Sequence, residues 1–219
     1  MKSTILSLLA LSLAPLASAG DYAGGKDFVA SSGGKDVVDS AKQVCACTES
    51  CLTYDFFDVQ YLYSDYDGLD TGHGVGLNLS KSLIGQLYLT ATAEWSDTGI
   101  WGVDADSWGL TAGLGYYMPV NDRLHLNLEA GGLYSNFDSD EYSDDKWGGY
   151  VGPGFRYCVT DNVELFGNAY WVLCEGGENT WDFNAGVIYD LTDTVGLKFS
   201  GVVDEHGDYS LLAGVRLYY

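Results

Sequence analysis

The chain has 219 residues, of which 29 are Gly, 17 are Tyr and 6 are Trp, whereas only 3 are Pro and 10 are Lys or Arg. The formal net charge of −21 argues against a nucleic-acid partner, because phosphate binding requires a basic surface. A high share of Gly and aromatic residues is instead typical of closed β architectures, in which Gly relieves crowding and aromatic rings lie at interfaces.

The first 19 residues have the features of a secretory signal peptide. Lys2 supplies a positive charge, residues 5–13 form a short apolar run, and Ala17-Ser18-Ala19 matches a cleavage site. The apolar run is much shorter than the roughly 20 residues that a transmembrane helix needs, and no later stretch is long enough. We therefore expect cleavage after Ala19, export, and a mature chain without transmembrane helices.

Residues 20–51 form a separate leader. They contain two Gly-Gly pairs and show little hydrophobic periodicity, which is typical of a flexible or partly ordered segment. We place this N-terminal segment in the periplasm and predict that residues 52–219 form the folded domain.

From Tyr54 onward apolar and polar residues alternate, which places one set of side chains on each face of a strand. In the first segment Phe57, Val59 and Tyr61 share one face, whereas Asp58 and Gln60 share the other. The same division recurs in ten segments, and an even number of strands returns both chain ends to one side of a membrane. The pattern predicts an all-β fold, a closed antiparallel up-and-down transmembrane β-barrel of about ten strands, with eight as the alternative.

The connections alternate between short turns and longer acidic segments, as in barrels with short periplasmic turns and long outer loops. The short turns share a weak repeat: Val120-Asn121-Asp122, Val159-Thr160-Asp161 and Leu191-Thr192-Asp193. The predicted loops are residues 65–72, 96–107, 135–146 and 174–180. Acidic clusters at 65–70 and 138–145 suit hard cations, but neither forms a complete calcium-binding loop. We interpret them as solvated acids and predict no metal site and no cofactor.

Aromatic residues on the apolar faces cluster at the strand ends, with mainly aliphatic residues between them. This predicted aromatic belt comprises Tyr63, Trp95, Trp108, Tyr116, Tyr134, Trp147, Tyr157, Trp171, Trp181, Tyr189, Tyr209 and Tyr219. Two aromatic layers around an aliphatic band match the two headgroup layers of a bilayer.

The opposite face carries ionisable groups, which would line the lumen of a closed barrel and would have to pair or be hydrated there. The predicted lumen network comprises Asp58, Glu94, His125, Glu129, Arg156, Glu164, Asp182, Lys198 and Arg216. Because Tyr88, Tyr117, Tyr150 and Tyr170 share this face, we expect a polar interior that is largely plugged.

The signal peptide, the alternation over residues 54–219 and the ending Leu211-Leu212-Ala213-Gly214-Val215-Arg216-Leu217-Tyr218-Tyr219 resemble the small outer-membrane β-barrel family of Gram-negative-type bacteria. That family typically ends in an aromatic residue, more often Phe than the Tyr219 found here. The resemblance implies an outer-membrane location, contact with membrane lipid and lipopolysaccharide, and recognition of the last strand by the barrel-assembly machinery. It identifies no oligomeric state, and we expect a monomer.

The five cysteines are Cys45, Cys47, Cys51, Cys158 and Cys174. Export places them in an oxidising compartment, where disulfides are favoured over a metal site, and no His lies near the first three. Cys158 lies near a predicted periplasmic turn, whereas Cys174 lies at the outer end of its strand, too far for a bridge between them. We predict disulfides only among the first four and expect Cys174 to remain a thiol.

These features predict a non-enzymatic outer-membrane barrel with a structural or surface-interaction role. The alternative is a narrow porin-like channel for small solutes or cations. A surface hydrolase is a third possibility, because Asp204-Glu205-His206 in an outer hairpin and Asp104 and Asp106 resemble the acidic and His pairs of the omptin proteases. The chain is much shorter than an omptin and no wider stretch matches, so we predict no enzymatic activity.

Overall fold

The structure is a computed structural model that describes residues 51–65, 71–100, 103–139, 142–176 and 179–219. The predicted signal peptide, Cys45, Cys47 and nearly all of the leader lie outside the described residues. Ten strands follow one another along the described chain. They are β1 (Phe56–Asp65), β2 (Gly72–Ser82), β3 (Leu87–Ile100), β4 (Val103–Asn121), β5 (Leu124–Ser139), β6 (Tyr142–Thr160), β7 (Val163–Cys174), β8 (Asn179–Thr192), β9 (Val195–Asp204) and β10 (Tyr209–Tyr218).

Each strand pairs antiparallel with its neighbour in sequence, and β1 pairs with β10, so the sheet closes into a barrel. The predicted fold class and the count of ten strands are therefore confirmed. No described segment is a helix long and apolar enough to cross a membrane. From Gln60 on β1, the chain of directly paired residues can be followed around the ring to β6 in either direction. One path ends at Lys146 and the other ends at Cys158. This stagger of 12 residues around the barrel tilts the strands relative to its axis.

Burial follows the alternation along the strands. In β2 the burial pattern alternates strictly between buried and exposed from Gly72 to Lys81, with Val75, Leu77 and Leu79 exposed. The buried set points into the barrel and is mostly polar, whereas the exposed set is mostly apolar. This arrangement is inverted relative to a soluble protein, and it is the arrangement that a bilayer requires of a closed barrel.

The predicted loops at 96–107 and 135–146 are wrong in large part, because strands β3 to β6 extend through them. Asp97 pairs with Asp106, and Asp138 pairs with Ser143, so these acidic residues belong to hairpins rather than to irregular loops. Backbone pairing satisfies their amides and carbonyls, and Ala105 packs against Phe137 on the buried side.

The repeated motif at the short turns has a local structural cause. Its middle residue accepts a hydrogen bond from the backbone nitrogen two residues later: Arg123 N to Asn121 Oδ1 at 2.9 Å, Asn162 N to Thr160 Oγ1 at 3.3 Å, and Thr194 N to Thr192 Oγ1 at 3.2 Å. Each turn also coincides with a shift in strand register. Side-chain oxygens of Asn and Thr therefore hold the three turns in the same way.

Candidate functional site in the barrel lumen

The candidate site is the lumen, which we divide into two halves. The turn-side half lies next to the four short turns, β2–β3, β4–β5, β6–β7 and β8–β9, and the loop-side half lies next to the long hairpins. All nine residues of the predicted lumen network are buried, with none more than 7% exposed. Seven lie in the turn-side half or at its boundary with the loop-side half, and the other two, Glu94 and Asp182, lie in the loop-side half.

Asp58 is the centre of one ion-pair cluster in the turn-side half. Its carboxylate accepts a hydrogen bond from Lys198 Nζ at 2.9 Å and two from Arg216, at 2.7 and 2.9 Å. The Arg216 guanidinium also lies 3.4 Å from the centroid of the Phe56 ring. Since Asp58 and Arg216 are paired residues of β1 and β10, the cluster lies on the seam where the barrel closes.

A second ion pair joins Arg156 on β6 to Glu164 on β7. Both nitrogens of the guanidinium edge, Nε and Nη2, donate to the two carboxylate oxygens of Glu164. The remaining Nη1 donates to the carbonyl oxygen of Thr53 at 2.8 Å. This two-bond geometry is the strong form of the Arg–carboxylate interaction, and here both partners are buried.

Glu129 connects the turn-side half to the middle of the lumen. It accepts hydrogen bonds from the phenols of Tyr88, at 2.6 Å, and Tyr170, at 2.9 Å. Tyr88 reaches across β4 above Gly115, where a Cβ atom would lie 1.9 Å from the ring. Gly115 therefore provides the space that lets Tyr88 fill the lumen and contact Glu129.

Residues 51–55, which we call the strap, cross the turn-side mouth before β1 begins. Cys51 forms a disulfide with Cys158 on β6, one of the three partners that the sequence left open for Cys158. The Tyr54 side chain is fully buried, with its ring stacked on Tyr117 and His125 and its hydroxyl 2.7 Å from His125 Nδ1.

The strap is a part of the site that the sequence pattern does not predict. Leu52 and Tyr54 continue the inward alternation of Phe56, and the adjacent Cys51 was a further signal. Neither signal shows that the chain turns across the mouth, because that path depends on the partner Cys158, 107 residues away.

The loop-side half contains two buried carboxylates that accept no hydrogen bond from the described residues. Within the described chain, neither carboxylate oxygen of Glu94 or Asp182 has a hydrogen-bond partner, although both side chains are buried. The neighbouring Thr180 and Ser135 hydroxyls are also without partners there. Lys146 lies at the outer edge of this half, 3.5 Å from Asp144. The two predicted network members in this half are thus not brought into the ion pairs.

Asp204 and His206, the sequence-based hydrolase candidate, lie in the β9–β10 turn. Asp204 Oδ1 accepts hydrogen bonds from the backbone nitrogens of His206, at 2.8 Å, and Asp208, at 3.0 Å. Its Oδ2 lies 3.2 Å from Nδ1 of the exposed His206 ring. The first two bonds are those of a side chain that stabilises a tight turn.

The residues of the predicted aromatic belt point outward. Near the long hairpins, paired strands place aromatic residues side by side: Trp95 beside Trp108, Tyr134 beside Trp147, and Trp171 beside Trp181. Tyr116, Tyr157, Tyr189 and Tyr219 are exposed near the short turns. Tyr63 and Tyr209 complete the layer near the hairpins, where the Tyr209 hydroxyl donates to Asp65 at 2.8 Å.

The other residues singled out in the sequence are Cys174 and the acidic clusters. Cys174 is half-buried at the loop-side end of β7 and packs against a cluster that includes Tyr150 and Val172. Among the described residues no group of three or more His, Cys, Asp or Glu side chains is arranged to hold a metal. Asp67, Asp70, Asp140 and Glu141 of the acidic clusters lie outside the described residues.

A closed barrel with an apolar exterior and a charged interior defines the protein as a transmembrane β-barrel of the outer membrane. The chain belongs to the family described as "Protein of unknown function, DUF481", whose model matches residues 56–209. No curated protein matches the chain in sequence.

Solved structures with a similar fold include three from bacteria. Neisserial surface protein A is 15% identical, with a TM-score of 0.41 and coverage of 76% of this chain and 96% of that chain. The outer membrane protein OprG from Pseudomonas aeruginosa is 13% identical, with a TM-score of 0.41 and coverage of 74% and 93%. The translocator domain of the autotransporter NalP from Neisseria meningitidis is 10% identical, with a TM-score of 0.45 and coverage of 78% and 91%.

Proposed function

We propose that the protein is a non-enzymatic outer-membrane barrel that does not conduct in its disulfide-bonded form, and that its role is structural or one of surface interaction. The observation that carries the proposal is the filling of the turn-side half. Two buried ion-pair clusters occupy the β1 and β6–β10 side of the lumen, and the Tyr54 ring packs against aromatic rings of β3, β4 and β5.

The acidic hairpins support a role at the surface. The described hairpin residues Asp97, Asp106 and Asp138 are exposed at the end of the barrel opposite the short turns. Their like charge favours interaction with cations or with the divalent ions that bridge lipopolysaccharide, and it disfavours anionic partners. The apolar outer wall supports membrane lipid as a partner, and we propose that lipopolysaccharide contacts the acidic hairpins through bridging divalent ions.

The C-terminal strand suits recognition by the barrel-assembly machinery. Tyr219 follows β10 and is 60% exposed, and its hydroxyl donates to the Ser80 carbonyl oxygen at 2.8 Å. The alternation of β10 up to this residue leaves an apolar outer face of Leu211, Val215 and Leu217. The edge of such a strand is available for pairing with the assembly machinery until β1 pairs with it and closes the barrel. Because the closed barrel has no free strand edge, we expect a monomer.

The proposal that the protein is not an enzyme rests on the surroundings of Asp204. Asp204 Oδ2 lies 3.2 Å from His206 Nδ1, as an acidic partner of a general base would, but its Oδ1 holds two backbone nitrogens of the same turn and the His206 ring is exposed. No described nucleophile or second carboxylate is hydrogen-bonded to His206.

Conductance in planar lipid bilayers tests the proposal directly. The purified, oxidised protein is expected to give no reproducible current steps, since the turn-side half is filled. Regular steps of uniform size would instead establish the alternative, a narrow porin-like channel. Each preparation should first show a heat-dependent shift in gel mobility, which verifies that the barrel is closed.

A further inference from the structure

We propose that the strap is a releasable plug, so that thiol–disulfide exchange at Cys51–Cys158 converts the closed barrel into a narrow conduit that prefers cations. This inference rests on the proposed function, because it requires that the disulfide-bonded barrel is closed. It adds a second state, a condition that produces that state, and the class of solute that the open lumen admits.

The first argument is the path of the strap. In a ring of ten strands β1 and β6 lie five places apart in both directions, so they face each other across the mouth. The strap runs from the disulfide on β6 to the first residue of β1, which is about 17 Å for five extended residues. It therefore crosses the opening rather than following the rim.

The second argument is that the strap is held at both ends by bonds that do not belong to the sheet. Near β1, Asp55 Oδ1 accepts a hydrogen bond from the Ser82 nitrogen at 2.7 Å and lies 3.2 Å from Lys81 Nζ. Near β6 the disulfide is the covalent attachment, and Tyr54 is the large side chain between these two anchors. Loss of the disulfide leaves only non-covalent contacts to retain the Tyr54 ring in the lumen.

The third argument is access to the disulfide. Cys158 is buried, whereas Cys51 is half-buried and lines an open cleft of about 730 Å³ at the turn side, together with Thr53 and Tyr218. A thiolate that enters this cleft meets Cys51 and not the buried Cys158, so exchange would proceed by attack on the Cys51 sulfur with the Cys158 sulfur as the leaving group.

The chemistry is complete with a dithiol as the reductant. One thiolate of the dithiol attacks Cys51 Sγ, the Cys51–Cys158 bond breaks, and Cys158 leaves as a thiolate that takes up a proton. The second thiolate of the dithiol then attacks the mixed disulfide and releases the Cys51 thiol. The protein gains two electrons and two protons, and the dithiol becomes a disulfide.

The fourth argument concerns selectivity. The turn-side half contains three cations, Arg156, Lys198 and Arg216, and with Glu129 three carboxylates, whereas the Glu94 and Asp182 carboxylates in the loop-side half accept no hydrogen bond from the described residues. Carboxylates that line a narrow pore favour cations over anions. A lumen opened at the turn side would thus pass small cations in preference to anions.

Bilayer conductance of one mature protein, measured oxidised and after treatment with dithiothreitol, tests the inference. The expected result is that steps are absent or rare before reduction and frequent after it, with a reversal potential in a salt gradient that indicates cation preference. Cys51→Ser/Cys158→Ser should conduct without reductant, and Tyr54→Gly should conduct while its disulfide remains intact. Cys174→Ser is the matched control and should respond to reductant as the native chain does.

The difference between oxidised and reduced protein decides this inference, whereas the oxidised protein alone decides the proposed function. The plug is refuted if the oxidised, the reduced and the Cys51→Ser/Cys158→Ser proteins all fail to conduct, provided that heat-dependent gel mobility shows each of them to be folded. The proposal of a non-conducting oxidised barrel would then still stand. Current steps in the oxidised protein refute the proposal that the oxidised barrel does not conduct. If reduction then leaves those steps unchanged, the plug is refuted as well.

Discussion

The two halves of the lumen treat the same chemical group in opposite ways. In the turn-side half the Asp58 carboxylate holds two cations with three hydrogen bonds. In the loop-side half the carboxylates of Glu94 and Asp182 are equally buried and have no described partner. Burial of a charge costs free energy unless it is paired, so the first arrangement stabilises the barrel and the second does not.

The difference separates two tasks within one lumen. Paired charges, stacked rings and a disulfide occupy the half next to the short turns, where they close the barrel. In the half next to the hairpins, Glu94, Asp182 and the hydroxyls of Thr180 and Ser135 have no hydrogen-bond partner among the described residues, which is typical of a region arranged for something other than stability. Substitutions that are chemically identical should therefore have different effects in the two halves.

The largest effect is expected for Asp58→Asn. It leaves the buried Lys198 and Arg216 without an anion, and breaking a buried pair in this way typically costs about 3–5 kcal/mol of unfolding free energy. Urea unfolding in detergent micelles, followed by tryptophan fluorescence, measures it. Asp161→Asn is the control, because that residue forms an exposed pair with Arg123 and should lose less than about 1 kcal/mol. Equal losses in both variants would contradict the assignment.

Cys51→Ser should have the next largest effect. It removes the cross-link between residues 107 positions apart, for which about 2–4 kcal/mol is typical. The native protein treated with reductant should lose the same amount of unfolding free energy as the variant does in its absence. A native protein that is indifferent to reductant would show that the disulfide is not formed.

Gly115→Ala tests the filling of the turn-side half by Tyr88. The new methyl group would meet the ring, displace it from Glu129 and destabilise the barrel by about 1–3 kcal/mol. Gly76→Ala is the matched control, because it is also an inward glycine but its Cβ would lie 3.4 Å from the nearest atom of Glu94. The prediction fails if the two variants unfold at the same urea concentration.

The smallest effect on unfolding free energy is expected for Glu94→Gln, and it should be much smaller than the loss caused by Asp58→Asn. Since no described group pairs with Glu94, the neutral amide removes a charge without breaking an ion pair. Stability should remain within about 1 kcal/mol of the native value or rise. A loss comparable to that of Asp58→Asn would reveal a counterion that the described residues do not show.

Much of the fold could be read from the sequence, because alternation with period two fixes which side of a strand faces lipid. The same rule failed at 96–107 and 135–146. In these strand extensions the outward face carries acidic residues such as Asp97 and Asp106 instead of apolar ones, so the apolar alternation is lost and the segments resemble loops. The length and the acidic composition of these two segments led to the wrong prediction of irregular loops.

The partners within the lumen could not be predicted. Asp58 and Arg216 are 158 residues apart, and they meet only because β1 pairs with β10 in one register. The height of each residue in the lumen depends on the stagger of the whole ring, which no single strand encodes. The contrast between Asp58 and Glu94 is therefore a property of closure rather than of local sequence.

The disulfide has a mechanical consequence for the rim on the side of the short turns. It ties two facing walls through a few residues of backbone, and a ring joined across a diameter cannot widen along that line. Sheets closed only by hydrogen bonds can flatten when lateral pressure changes. In this protein the disulfide resists such flattening at the turn-side rim, whereas no described cross-link does so at the hairpin rim. Deformation of the surrounding bilayer would therefore change the shape of the barrel mainly at the hairpins.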